Sequence, residues 1–187
     1  MVKGKKMIKS EYSAIEITGV SVAVPTNKVL VKDFSSKFGE EAVANFTKMT
    51  GVESFYKSSD KQTASDLGYI AAKNLLEHKQ LDVTTIGILI FVTQSSDYKI
   101  PSTACVLHKR LGLSKECIAY DVNLGCSGYV YGLNIVYSQL QSSNATKALL
   151  IVGDTSSKGI SPEDKSSIML FGDSGSATLI EKIPSEN

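Results

Sequence analysis

No tryptophan occurs in this chain, and histidine occurs only at His78 and His108. Neither histidine has partner residues at metal-binding spacing, so no metal site is expected. Cysteine is also scarce. Cys105, Cys117 and Cys126 are an odd number without a Cys-x-x-Cys pair, which excludes a disulfide framework or a zinc knuckle. Reduced cysteines and a cytoplasmic location are the expectation. Charge of one sign is lacking too. Twenty Lys and Arg against 19 Asp and Glu leave a net +1, with no electrostatic case for nucleic acid or a membrane surface. No run approaches the roughly 20 apolar residues of a membrane span. Lys3, Lys5, Lys6 and Lys9 make the start basic, but no apolar segment follows, so a solvated tail over residues 1–13 is expected rather than a signal peptide.

What is present is an alternation of strand and helix signals. Ala14 to Val24 alternates around Ile15, Ile17, Val20, Val22 and Val24, and stops at Pro25 as a strand would. Val29–Phe38 and Glu41–Met49 read as two short helices divided by Gly39, with Gly51 ending the second. A short extended segment, Val52–Tyr56, and a polar loop, Lys57–Gln62, come next. Thr63 is the expected N-cap of an amphipathic helix with Asp66 at N3, its apolar face carried by Leu67, Ile70, Ala71, Leu75 and Leu76. Ile86–Thr93 is continuously apolar, as suits a strand covered on both faces in a parallel sheet. Pro101 and Ser102 open a further helix that ends near Gly112. Cys105 and Cys117 read as core, and both histidines as surface or helix-end residues. Strands follow at Cys117–Val122, Ala148–Val152, Ser167–Phe171 and Ser176–Ile183, the last two around a Gly172-Asp173-Ser174-Gly175 turn. Strands alternating with helices give one α/β domain over residues 14–183, with residues 184–187 as the start of a linker.

Between the strand ending at Val122 and a helix marked by Tyr129, Leu133, Val136, Tyr137 and Leu140 stands Gly125-Cys126-Ser127-Gly128. Cys126 thus occupies a strand-to-helix elbow, where unpaired N–H groups and the positive helix end stabilise a thiolate. Gly125 and Gly128 leave room for backbone bends and for close approach of a substrate. A nucleophilic cysteine is the functional reading, and a small buried hydrophobe the plain one. For Ser127, Asp154, Asp173 and Ser174 the expected role is support of turns and helix ends. Tyr129 and Tyr131 are expected in the core or along a tunnel.

Five segments resemble 3-oxoacyl-acyl-carrier-protein synthase III, of the thiolase-like superfamily. They are Thr50-Gly-Val, Ile100-Pro-Ser-Thr-Ala-Cys, Asp121-Val-Asn-Leu-Gly-Cys-Ser-Gly-Tyr, Gly153-Asp154 and Phe171-Gly-Asp-Ser-Gly-Ser-Ala, in family order across residues 14 to 183. The resemblance implies a layered thiolase-like fold of which this chain supplies one βαβαβαββ half, a mostly parallel five-stranded mixed sheet covered by helices. It implies that Cys126 takes an acyl group from a thioester and condenses it with malonyl-acyl-carrier protein, releasing carbon dioxide, with no cofactor and in a homodimer. It also implies that the Cys126 N–H helps form an oxyanion hole, that Ile100 enters the partner's acyl pocket, and that Lys165 binds substrate in place of an expected Arg.

Two departures accompany the resemblance. The family's catalytic His and Asn belong to a second half, and no histidine follows His108, so this chain alone is not expected to condense. Asn45 and Met49 stand where the family's coenzyme A users place a Trp and an Arg. Loss of a stacking ring and a bidentate guanidinium disfavours a nucleotide-bearing donor. Acetyl-coenzyme A is therefore not the expected donor, and an acyl-carrier-protein-bound or otherwise specialised acyl group takes its place. The alternatives are a non-catalytic thiolase-fold module that shapes a partner's pocket or sets chain length, and a hydroxymethylglutaryl-coenzyme A synthase-like enzyme. Half of a layered fold would also leave an apolar face open, favouring self-association.

Overall fold

A computed structural model describes residues 8–184. Lys3, Lys5 and Lys6 of the expected tail, and residues 185–187 of the expected linker, lie outside them. Strand β1 (Ile15–Ala23) leads into a small hairpin, β2 (Asn27–Leu30) with β3 (Ser54–Lys57). Between the hairpin strands come a 3-10 turn (Val31–Phe34), the one-turn helix α1 (Ser35–Phe38) and α2 (Glu40–Thr50). Then helices and strands alternate: α3 (Ala64–His78), β4 (Ile88–Val92), α4 (Thr103–Leu111), β5 (Ile118–Val122), α5 (Gly128–Ser142) and β6 (Lys147–Asp154). Helix α6 (Lys165–Ile168) and strand β7 (Ser174–Lys182) complete the described chain.

The main sheet runs β1-β7-β6-β4-β5. Strand β4 pairs in parallel with both β5 and β6, while β7 is antiparallel to β6 and to β1. The five-stranded, mostly parallel sheet and its β-α-β-α-β-α-β-β order are those expected, with the β2–β3 hairpin and α2 inserted before α3. All five residues of β4 are at most 1% exposed. Leu89 and Phe91 pack with Ala71, Leu75, Ala104 and Leu107 of α3 and α4 on one face. Ile88, Ile90 and Val92 meet Val136 and Leu140 of α5 on the other. Each such side chain contributes about 1.5–3 kcal/mol relative to exposure, so the strand with no solvent face anchors both layers.

Helix α3 starts as its sequence dictates. The Thr63 hydroxyl accepts from the Asp66 N–H, and the Asp66 carboxylate accepts from the Thr63 N–H, a reciprocal capping box. Burial works against the Asp66 charge, but the Thr63 N–H and Arg110, whose Nη1 lies 2.9 Å away, outweigh it and hold its pKa below the usual value.

Three readings are corrected. Val29–Phe38 is the hairpin strand β2, a 3-10 turn and the short α1, because pairing of Asn27–Leu30 with Ser54–Lys57 overrides the local helical pattern. Ser167–Phe171 is no strand: the Asp164 carboxylate accepts from the Ser166 and Ser167 N–H groups and starts α6 instead. Cys105 is exposed rather than core, since α4 turns Thr103, Ala104 and Leu107 inward and leaves Cys105 outward.

The helix layer lies very close to the sheet at Gly175 of β7. A methyl there would stand 2.5 Å from the Gly68 nitrogen and from the Leu67 carbonyl carbon of α3, main-chain atoms that no side-chain rotation can move aside. Gly175→Ala is therefore expected to cost about 3 kcal/mol or more. A urea-unfolding midpoint close to wild type would contradict that packing.

Candidate active site

Asn123 to Ser127 carry the chain from the end of β5 to Ser127, the N-cap of α5. The elbow is a tight turn: the Gly128 N–H donates to the Gly125 carbonyl at 2.7 Å, and the Tyr131 N–H to the Ser127 carbonyl at 3.1 Å. Cys126 lies between, with its side chain exposed. Among the described residues the Cys126 and Ser127 N–H groups donate to no other group. Two free donors therefore flank the thiol at the positive end of a 15-residue helix.

The two glycines act differently from expectation. Neither Gly125 nor Gly128 has positive φ, so no left-handed bend calls for them. A Cβ on Gly128 would come 2.5 Å from Val92 Cγ1, and one on Gly132 2.7 Å from Leu150 Cδ1. Gly128 and Gly132 share one helix face, and together they seat α5 against β4 and β6. Close packing, rather than backbone freedom, selects glycine here.

Carboxylates hold the surrounding loops. Asp154, ending β6, accepts from the Thr93 hydroxyl, the Gln94 and Ser95 N–H groups and the Ser95 hydroxyl at 2.7–2.9 Å. Asp121 of β5 accepts from the Thr103 and Ala104 N–H groups, both at 2.7 Å, and so caps α4 from the neighbouring strand. Asp97 accepts from the hydroxyls of Thr63 and Ser65, and its own N–H donates to Thr103 Oγ1. Asp173, 2% exposed, accepts from the Ser58 N–H and from the N–H and hydroxyl of Ser157. Asp154 and Asp173 thus support turns, as expected. Asp97 and Asp121 do the same without having been singled out, since their partners are distant in sequence. Ser127 caps α5 without a side-chain bond, and Ser174 opens β7. Tyr129 is half-buried with its hydroxyl 3.3 Å from Thr178 Oγ1, whereas Tyr131 is exposed.

Ile100 lies on the loop between β4 and α4, before a cis Ile100–Pro101 bond, and is 89% exposed. Lys165 opens α6 and lines a groove of about 880 Å³ with Asn45, Phe46 and Met49 of α2. The three positions singled out from distant parts of the sequence, Asn45, Met49 and Lys165, therefore meet. Glu40, Glu41, Glu163 and Asp164 line the same groove. The Ser166 hydroxyl, together with the hydroxyl and N–H of Ser167, brings the Asp164 pKa down to about 2, so it stays charged beside Lys165.

The layered α/β architecture, with a cysteine elbow at the carboxyl end of a parallel strand, defines a thiolase-like fold. A crystal structure of 3-oxoacyl-(acyl-carrier protein) synthase from Burkholderia xenovorans LB400 superposes with a TM-score of 0.90 at 38% identity, covering 93% of this chain and 50% of that one. A provisionally named 3-oxoacyl-[acyl-carrier-protein] synthase 3 of Campylobacter jejuni is 40% identical over 178 residues, 94% of this chain and 50% of the relative. The beta-ketoacyl-[acyl-carrier-protein] synthase III of Methylococcus capsulatus is 31% identical over 172 residues, 92% of this chain and 52% of the relative. The family model for 3-oxoacyl-[acyl-carrier-protein (ACP)] synthase III matches residues 120–187, which include the elbow. The chain is similar to members of that family along more than nine-tenths of its own length, and it spans about half the length of the curated relatives it matches.

Burial raises the Cys117 thiol to about 11, whereas Cys105 and Cys126 are exposed. At pH 8 iodoacetamide is expected to modify Cys117 last of the three, as read by peptide mass. Cys117 labelled as fast as Cys126 would contradict the arrangement.

Proposed function

We propose that Cys126 is the acyl-accepting nucleophile of an acyltransferase that extends acyl chains by decarboxylative Claisen condensation, in fatty acid or related biosynthesis. The observation that carries the reading is an exposed thiol at the elbow between β5 and α5, flanked by free N–H donors. The Cys126 thiolate attacks the thioester carbonyl carbon, and the donor's thiolate leaves with the electron pair of the broken C–S bond. Because the two thiolates are of similar basicity, the exchange needs no strong acid. Charge that builds on the carbonyl oxygen is met by the Cys126 N–H. Malonyl-acyl-carrier protein then loses carbon dioxide, and its carbanion attacks the acyl-Cys126 carbonyl. The new carbon–carbon bond forms as the Cys126 thiolate departs. This chain supplies the nucleophile half of that reaction, in the cytoplasm and within a homodimer. The exposure of Ile100 supports its entry into a partner's acyl pocket.

Donor preference follows from the groove along α2. Asn45 and Met49 offer neither an aromatic plane nor a guanidinium fork, and the groove is also lined by Glu40, Glu41, Asp164 and Glu163, the last paired with Lys37. A nucleotide with several phosphates meets like charge there. Acyl-carrier protein, which presents the acyl group without a nucleotide, is the donor this lining favours.

Intact mass after incubation with one acyl group on acyl-carrier protein or on coenzyme A tests the preference, with Cys126→Ser as control. Transfer from the carrier protein is expected to be faster by at least about tenfold, a difference of 1.4 kcal/mol. Equal or faster transfer from coenzyme A would overturn the donor assignment.

A further inference from the structure

We infer that Gln94 is a second polar contact for the acyl thioester at Cys126, its carboxamide donating to the thioester carbonyl oxygen. The inference rests on the reading of Cys126 as the acyl acceptor. Gln94 is the second residue beyond β4, the strand that pairs in parallel with β5, so it leaves the same edge of the sheet as the elbow. A Cβ on Gly125 would stand 2.6 Å from Gln94 Oε1, 3.0 Å from Cδ and 3.3 Å from Nε2. The carboxamide therefore lies directly on Gly125, the residue before the nucleophile, and the absence of a side chain at Gly125 is what admits it.

The Gln94 main chain is fixed while its side-chain hydrogen-bonding capacity is free. Asp154 Oδ1 accepts from the Gln94 N–H at 2.7 Å and from the Thr93 and Ser95 groups on either side. Ser95 Oγ in turn accepts from the Thr155 N–H. By contrast, among the described residues the Gln94 carboxamide makes no hydrogen bond, and the residue is exposed. An exposed carboxamide without a protein partner is free to turn its two N–H donors toward an arriving ligand. Here a neutral double donor is held beside the elbow with its donors unspent, next to the equally unspent Cys126 N–H. On this inference, an incoming acyl carbonyl lies at both donors. Rotation of the terminal amide decides which end faces inward, and the oxygen of a reacting thioester selects the nitrogen.

The step assisted is the exchange already described: the Cys126 sulfur bonds to the carbonyl carbon, and the donor sulfur leaves with its electron pair. Gln94 supplies no proton and no charge. It stabilises the oxygen that becomes anionic as the carbonyl turns tetrahedral.

Gln94→Met keeps the length and removes the N–H donors. The same acyl group would be offered on acyl-carrier protein and on N-acetylcysteamine, with adduct formation followed by intact mass. Iodoacetamide alkylation of Cys126 serves as the parallel readout, because it needs a nucleophilic thiol but builds no oxyanion. Acyl transfer in Gln94→Met is expected to fall on the order of tenfold to a hundredfold, with alkylation unchanged. Acyl transfer at the wild-type rate would overturn the inference. So would a parallel fall in alkylation, which would mean that the carboxamide acts only on the shape of the elbow. Wild-type protein that is alkylated but takes no acyl group from either donor would overturn the reading of Cys126 itself, and this inference with it.

Discussion

Strand β4 has no solvent face, and the rest of the molecule is arranged around that constraint. Its five side chains must find apolar partners on both sides, which requires α3 and α4 on one face and α5 on the other. Its two edges must both be paired, which places β5 and β6 in parallel beside it. Parallel neighbours end at the same edge of the sheet, so the elbow after β5, the loop after β4 and Asp154 at the end of β6 converge there. The chemistry gathers at the carboxyl ends of these strands because the core leaves the connecting loops no other place.

Close packing and loop anchoring then turn a sheet edge into a site. Gly128 and Gly132 allow α5 to rest on Val92 and Leu150, which fixes where the N-terminal end of the helix points. Asp154, Asp97 and Asp121 hold the loop between β4 and α4 along its length. Each carboxylate is compensated by several N–H or O–H donors, so its polar groups are satisfied without a counter-cation. The Cys126 and Ser127 N–H groups and the Gln94 carboxamide, by contrast, have no hydrogen-bond partner among the described residues.

Much of this was legible in the sequence, for identifiable reasons. The unbroken Ile86–Thr93 run and the Thr63–Asp66 spacing are local signals, and the structure realises both, whereas the elbow glycines mark the right place for a different reason, close packing instead of a bend. The misread segments failed where a distant or polar contact outweighed the local pattern. Asn27–Leu30 is held by Ser54–Lys57, and the apolar stretch before Gly172 is preceded by Asp164, whose capping bonds start a helix. Cys105 lies in an apolar helical pattern but points away from its buried stripe. Gln94 carried no sequence signal at all. A glutamine in a polar loop is unremarkable until the fold lays it on Gly125.

The central claim is that, of three free thiols, the one at the elbow carries the acyl group. Proteolysis after Lys115 and Lys147 gives one peptide containing both Cys117 and Cys126, and fragmentation of that peptide after acylation separates the two positions. The account predicts an acyl mass on Cys126 alone. An acyl mass on Cys117 or Cys105, with Cys126 unmodified, would contradict it.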